Sequence, residues 1–486
     1  MRDYSLFIPE YIAAGAAIAI IGIELFWPKF RKDQLAYLTA LAAVAWFIAG
    51  CFYINQDAKS YQGVIRSDDF TTYFRLLAAG IVAVVALLSA TYMRERTKTA
   101  AEYYGLLLIA GCGMVYMAAA TELITAYIAL ELLSFSLYIL VGYLKKDNLS
   151  SEASLKYILL GAFSSAMFLY GMSLIYGVTG STYYAEIAEA LSARESGTDP
   201  AVVVGFMLML AGVGFKVSAA PFHMWAPDAY EGAPLPITAF LSTLSKAAGF
   251  ALILRLFSGA LVVDAAEWRW AVVALAAITM TVGNLVAIQQ TNLKRLVAYS
   301  SIGQVGYMLI TIAALGYGDA ETGLNASSGL LLHITGYVIT TLALFSALTA
   351  AYNRTQRDDI AGLRGLAETQ PFLALVITAS LFSFAGLPFF AGFATKLFML
   401  QGATTNETLW VVGLAVLNSF ISLYYYLMVI RQMYLFDPVG DTRRWQPAPV
   451  LWGLSAALMI GVLAIGIYPG PLFELSEQAS RPLFGG

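Results

Sequence analysis

The sequence predicts an all-α polytopic membrane protein of about 14 transmembrane helices, with two inverted five-helix repeats and broken helices at positions seven and twelve. Three observations carry that expectation. Hydrophobic residues make up 59% of the chain and charged residues 12%, against roughly 25% charged in a soluble domain. Apolar runs long enough to cross ~30 Å of hydrocarbon recur from end to end. Two of those runs carry proline and glycine interruptions that a continuous helix does not tolerate.

Taken in order, the runs near 9–27, 36–54 and 72–93 form an N-terminal three-helix segment, residues 1–100. The first lacks a basic start and a small-residue cleavage site, so it reads as a span and not a signal peptide. Runs near 103–118, 121–144, 155–178, 201–221 and 234–257 fill residues 101–258, the first repeat. Those near 268–289, 294–315, 328–351, 370–402 and 409–434 fill residues 259–436, the second. A last run near 450–469 lies in residues 437–486. No soluble domain fits between the spans, and no convincing strand interrupts them.

Lysine and arginine alternate in density between the connections. One side collects 17 of the 28 basic residues, Lys29 and Lys98 among them. The other collects 8, including Arg2, Arg75 and Arg255. The base-rich side is therefore expected to be cytoplasmic, in a cell inner or plasma membrane with both termini on the outer side. The segment 222–233 dissents, carrying Asp228 and Glu231 but no base; it reads as a solvated loop face or a proton-gathering mouth.

The three remaining bases, Lys216, Lys246 and Lys396, fall within spans, and so does Glu131. An ammonium at bilayer depth costs roughly 2.5–3.5 kcal/mol, which makes three of them a functional signal. Pro221 follows Lys216 closely in GFKVSAAP, and Pro388 precedes Lys396 in GLPFFAGFATK. Each lysine thus lies beside a predicted break, where backbone at membrane depth survives only if protein or a wet cavity surrounds it. Spans seven and twelve are threaded in opposite senses, which is the footprint of an inverted repeat. Lys294 and Arg255 lie near span ends and read as snorkelling side chains. Glu24 reads as an interfacial acid, and most Tyr and Trp residues as interfacial anchors or packing.

Cys51 and Cys112 are too few for an iron–sulfur cluster, which needs four ligands. His223 and His333 show no metal-ligand spacing. The chain is therefore expected to hold no redox cofactor, metal or nucleotide of its own, and to bind no nucleic acid.

The stretch PFHMWAPDAYEGAPLPITAFLSTLSKAAGFA, residues 221–251, resembles the signature of the antiporter-like membrane subunits of respiratory complex I. LKRLVAYSSIGQVGYMLI (293–310) and AGLPFFAGFATKLFML (385–400) are similar to the same family. The wording YEGAP, TAFLS, SKAAGF and SSIGQVGY is most similar to the subunit N branch of NADH-quinone oxidoreductase. The sequence also stops soon after the fourteenth span, without the lateral helix expected of the L-type branch.

That resemblance implies roles position by position. Glu131 and Lys216 match the family's charge pair on the fifth and seventh spans. Lys246 matches the central relay lysine of the eighth, and Lys396 the lysine of the twelfth that faces the exit half-channel. His223, His333 and Lys294 are further relay candidates, with capping and packing as the plainer alternatives. The resemblance also implies neighbours: M- and L-type paralogues, small J-, K- and A-type subunits, and a peripheral arm holding NADH, FMN, iron–sulfur clusters and quinone. Desolvation disfavours the charged form of an amine while a nearby carboxylate favours it, so varying the Glu131–Lys216 separation would move a proton along the row. Two other classes share some of these features. A multi-subunit cation/proton antiporter shares fold and lysines but not the wording at 229–251; an organic-solute transporter needs a midplane pocket, where this chain has a row of single charges.

Overall fold

The structure, a computed structural model, describes residues 4–27, 30–94, 96–97, 99–194, 199–261, 265–316, 320–438 and 443–484. The bases Arg2, Lys29 and Lys98 lie outside the described residues. The helices are α1 (Ile8–Phe26), α2 (Lys32–Cys51), α3 (Asp69–Tyr92), α4 (Ala101–Ala119), α5 (Leu123–Val141), α6 (Asn148–Thr179) and α7 (Tyr184–Ser192). There follow α8 (Pro200–Val217), α9 (Trp225–Gly232), α10 (Leu235–Phe240), α11 (Lys246–Gly259), α12 (Ala265–Ala287), α13 (Leu293–Leu315) and α14 (Ala320–Thr355). The last six are α15 (Leu366–Thr369), α16 (Pro371–Ala385), α17 (Ala391–Gly402), α18 (Leu409–Leu435), α19 (Pro449–Ile467) and α20 (Gly470–Ser480).

Thirteen helical stretches among the described residues are long and apolar enough to cross a membrane. The expected twelfth span supplies the fourteenth crossing as two pieces, α16 and α17. Between α10 and α11 the chain stays helical through Leu241–Ser245, which forms a π-turn ahead of Lys246. Such turns widen a helix by one residue and recur at functional sites. The interior gathers around the α10–α11 span, fully buried along its apolar window, with α13 and α14 beside it.

Both expected breaks form, and they close alike. α8 ends on Ser218, which takes a left-handed conformation with φ 66°, and α16 ends on Gly386 with φ 81°. Each end is then accounted for group by group, as a buried helix terminus requires. At the first, Ala219 N–H donates to the Gly214 carbonyl (2.7 Å) and Trp225 Nε1 to that of Phe215 (2.8 Å). At the second, Gly386 and Leu387 N–H both donate to the Phe382 carbonyl (3.1 and 3.0 Å).

Four features differ from the sequence reading. Residues 222–233 are not a loop: most of them form α9, whose Asp228 and Glu231 receive Arg295 Nη1 at 2.7 and 2.8 Å. The helical pattern was masked by Pro227 and by the break before it. A two-stranded antiparallel hairpin, Ala58–Ser60 with Ile65–Ser67, and the short amphipathic α7 and α20 are also present; the strands are too short to show a period. Arg255 does not snorkel. It is buried, paired with both carboxylate oxygens of Asp68 at 2.9 and 2.8 Å, and donates to the Ala118 carbonyl. Arg75, read as an outer-end base, is buried against Glu10 at 2.7 Å.

The basic ends nevertheless gather on one face of the bundle. Lys32 donates to the Thr97 carbonyl, Arg96 to Gln356, Lys156 to Asp228 and Arg295 to Asp228 and Glu231. Glu24 also acts there as the cap of α4, accepting from Ala100 and Ala101 N–H at 3.0 and 2.6 Å. A carboxylate at a helix N-terminus satisfies donors that have no intrahelical partner.

Candidate proton-translocation site

The first cluster is built on the α8 break. Left-handed Ser218 frees the Val217 carbonyl, and Lys246 Nζ donates to that oxygen and to Ser218 Oγ, both at 2.9 Å. Lys246 stands at the first position of α11, just after the π-turn, and is 2% exposed. Lys216, in the last turn of α8, is equally buried and donates to Ser134 Oγ at 2.8 Å. Gly249, one turn after Lys246, brings the two lysine-bearing helices together. A Cβ there would stand 2.5 Å from Val217 Cγ1 and 3.6 Å from Lys216 Cγ, so only glycine permits this approach.

Glu131 precedes Ser134 by one turn of α5 and accepts a hydrogen bond from Ser165 on α6. Among the described residues Glu131 and Lys216 form no salt bridge, though the Glu131 charge acts on the Lys216 amine. Ser134 and Ser165 were invisible to sequence reading because serine in a transmembrane helix usually bonds its own backbone, as Ser134 also does to Leu130.

The second cluster is built on the α16–α17 break. Lys396 Nζ donates to the freed Phe384 carbonyl at 2.7 Å and to Ser419 Oγ on α18 at 3.2 Å, and lies 4.7 Å from the centre of the Tyr307 ring. Gln304 Nε2 meets the same carbonyl at 3.2 Å. His333, buried on α14, contacts Thr395 Oγ1 through Nδ1 at 3.0 Å, while its Nε2 has no protein partner among the described residues. It therefore adjoins the residue next to Lys396.

Of the remaining candidates, His223 is near enough to the first cluster for the Lys246 charge to act on it, and Lys294 stands apart. His223 follows the first break with its ring 6.5 Å from that of Tyr299, its Nδ1 without a protein partner among the described residues. Lys294 is 9% exposed at the base-rich face, where Asp358 lies at 3.4 Å and the Ala233 carbonyl at 3.3 Å; it reaches an acid, not headgroups. Among the described residues no three His, Cys, Asp or Glu side chains gather into a metal-binding set.

Known proteins share this arrangement of helices. Residues 120–422 match the family described as NADH:quinone oxidoreductase/Mrp antiporter, transmembrane. A relative from Moorella thermoacetica named NADH-quinone oxidoreductase subunit N is 39% identical, with all of both chains covered. One of the same name from Heliobacterium modesticaldum is 37% identical over 99% of this chain and 100% of its own. Among solved structures, a chain of respiratory complex I from Thermus thermophilus superimposes with TM-score 0.80 at 30% identity, covering 97% of this chain and 100% of that one. A chain of the Mrp complex from Dietzia sp. superimposes with TM-score 0.84 at 22% identity, covering 99% of this chain and 98% of that one, a likeness of fold alone. With full-length relatives at that identity, and with two broken helices each presenting a buried lysine, the chain belongs to the subunit N family of NADH-quinone oxidoreductase.

Proposed function

We propose that this chain is a proton-translocating membrane-arm subunit of a complex I-type oxidoreductase, carrying no redox site itself. Protons move along Glu131, Lys216, Lys246 and Lys396, driven by quinone reduction in other subunits. Its neighbours are M- and L-type paralogues, small membrane subunits and a peripheral arm with flavin and iron–sulfur clusters. The base-rich face lies toward the cytoplasm.

The single observation that carries this reading is the placement of Lys246. Its amine sits on a carbonyl freed by the α8 break, within the helix contact that also holds Lys216. A desolvated ammonium held by neutral dipoles gives up its proton more readily than one paired to an acid. Lys216 differs in having the charge of Glu131 near it. A proton leaving one for the other changes the field at both. A membrane voltage opposes each charge by about 2.3 kcal/mol per 100 mV, so an outside free-energy source is required.

The test is proton uptake by vesicles holding the whole complex. Lys216→Ala and Lys246→Ala are each expected to lower uptake roughly 100-fold, the usual scale for losing an acid–base group. Unchanged uptake in both removes these lysines from the path. Sodium-coupled exchange by a complex lacking quinone reductase would favour the antiporter alternative.

A further inference from the structure

The two clusters hold their lysines against different partners. Lys216 is held by the Ser134 hydroxyl and has the charge of Glu131 acting on it. Among the described residues no carboxylate forms a salt bridge with Lys396; it has a carbonyl, a hydroxyl and the face of Tyr307. An aromatic face attracts a cation through its quadrupole, most strongly where water is excluded. Lys396 is 6% exposed and Tyr307 1%.

That ring is held in place by more than packing. Asn284 Nδ2, on α12, donates to the Tyr307 hydroxyl at 2.9 Å, and Tyr425 on α18 donates to Asn284 Oδ1, also at 2.9 Å. Asn284 is anchored in turn to its own helix through the Met280 carbonyl at 2.8 Å. All three side chains are buried. Three helices of the second half thus converge on the orientation of one aromatic plane, and that plane faces an ammonium. Buried polar networks that are fully satisfied fix geometry in this way.

We propose that Tyr307, oriented by Asn284 and Tyr425, is a positioning residue for proton transfer at Lys396: its ring face holds the protonated amine on the Phe384 carbonyl. Unlike a carboxylate, the ring keeps its attraction unchanged through the cycle. Lys396 therefore has a constant partner, and what varies is the charge reaching it along the row. The inference rests on the proposed role of Lys396 and deepens it.

The experiment compares Tyr307→Phe and Tyr307→Leu in the intact complex, with Lys396→Ala as reference, reading proton uptake per assembled complex. Tyr307→Leu is expected to lose about tenfold, the weight of a desolvated cation–π contact. Tyr307→Phe, which keeps the face but loses the Asn284 hydrogen bond that orients it, should lose only about threefold, less than the leucine variant. Tyr307→Met replaces the leucine variant if that one does not assemble. Normal uptake in Tyr307→Leu or Tyr307→Met with Lys396→Ala inactive overturns the positioning role alone. Equal loss in the phenylalanine and leucine variants also overturns it, because the hydroxyl and not the face would then be the working group. Normal uptake in Lys396→Ala overturns the underlying function as well.

Discussion

The two helix breaks share a backbone and differ in chemistry. Both α8 and α16 end on a left-handed residue, and both offer a freed carbonyl to a lysine. The position two residues before the left-handed one is Lys216 in the first and Phe384 in the second. The first break therefore brings two lysines together, one of them within reach of the Glu131 charge. The second has one lysine among neutral dipoles and an aromatic face. The difference teaches that the fold supplies the sockets and side chains decide what each can do. On the proposed path, a nearby carboxylate would make one end of the row adjustable, and its replacement by dipoles would make the other end steady.

That contrast can be broken most sharply by giving the second cluster an acid. Gln304→Glu would set a carboxylate where Gln304 now meets the Phe384 carbonyl beside Lys396. A charge pair at about 4 Å near a protein surface is worth ~4 kcal/mol before desolvation is subtracted. Proton uptake by the whole complex is expected to fall at least tenfold, because Lys396 would be held charged. Uptake at the normal rate would show that the second lysine tolerates a titrating partner, and the contrast would lose its meaning.

A smaller effect separates the two closures themselves. Gly386→Ala places a Cβ in left-handed backbone and should cost about 1–2 kcal/mol, seen as a lower melting temperature of the purified complex. Ser218→Gly should leave stability within about 0.5 kcal/mol, the relief of its backbone offset by the lost side chain. It also removes one of the two acceptors of Lys246, so uptake should change while melting does not. Equal melting shifts in the two variants would mean that the breaks are not closed alike.

The smallest effect lies outside both repeats and serves as their control. Asp57 pairs with Arg66 at 2.6 Å beside the hairpin, and the guanidinium hydrogen bond holds its carboxyl below the usual range. A lowered carboxyl contributes stability above its unfolded value of about 3.9 and loses it as pH falls through the folded one. Because Asp57 is exposed, Asp57→Asn should cost only ~0.2–1 kcal/mol at neutral pH and nothing in strong acid. It should leave proton uptake alone; altered uptake at neutral pH would spoil it as a control.

The span pattern and the mid-span charges were legible because an ammonium in an apolar run contradicts its surroundings, and the contradiction is visible in one dimension. Pro221 and Pro388 marked the breaks for the same reason. Arg255 was misread because its partner, Asp68, lies 187 residues away and is itself placed like an interfacial acid. Arg75 was misread for the same reason: it and Glu10 each sit near an end of a run, and only the tertiary fold closes the pair. Tyr307, Asn284 and Ser134 carried no signal of their own, since each is ordinary in a membrane helix until a lysine is found beside it. An asparagine in the interior of a span such as α12 was the one hint available.

The freed carbonyls have a mechanical corollary. In water a helix end that loses its partner is solvated at once, but the Val217 and Phe384 oxygens are enclosed by protein. An amine that swung away would leave the Val217 oxygen a bare dipole and the Phe384 oxygen with only the longer Gln304 contact, so its departure is opposed until a replacement donor arrives. On the proposed path each lysine would then be a latch whose release is conditional, and a protein assembled from two such latches would resist leaking charge when its power source is idle.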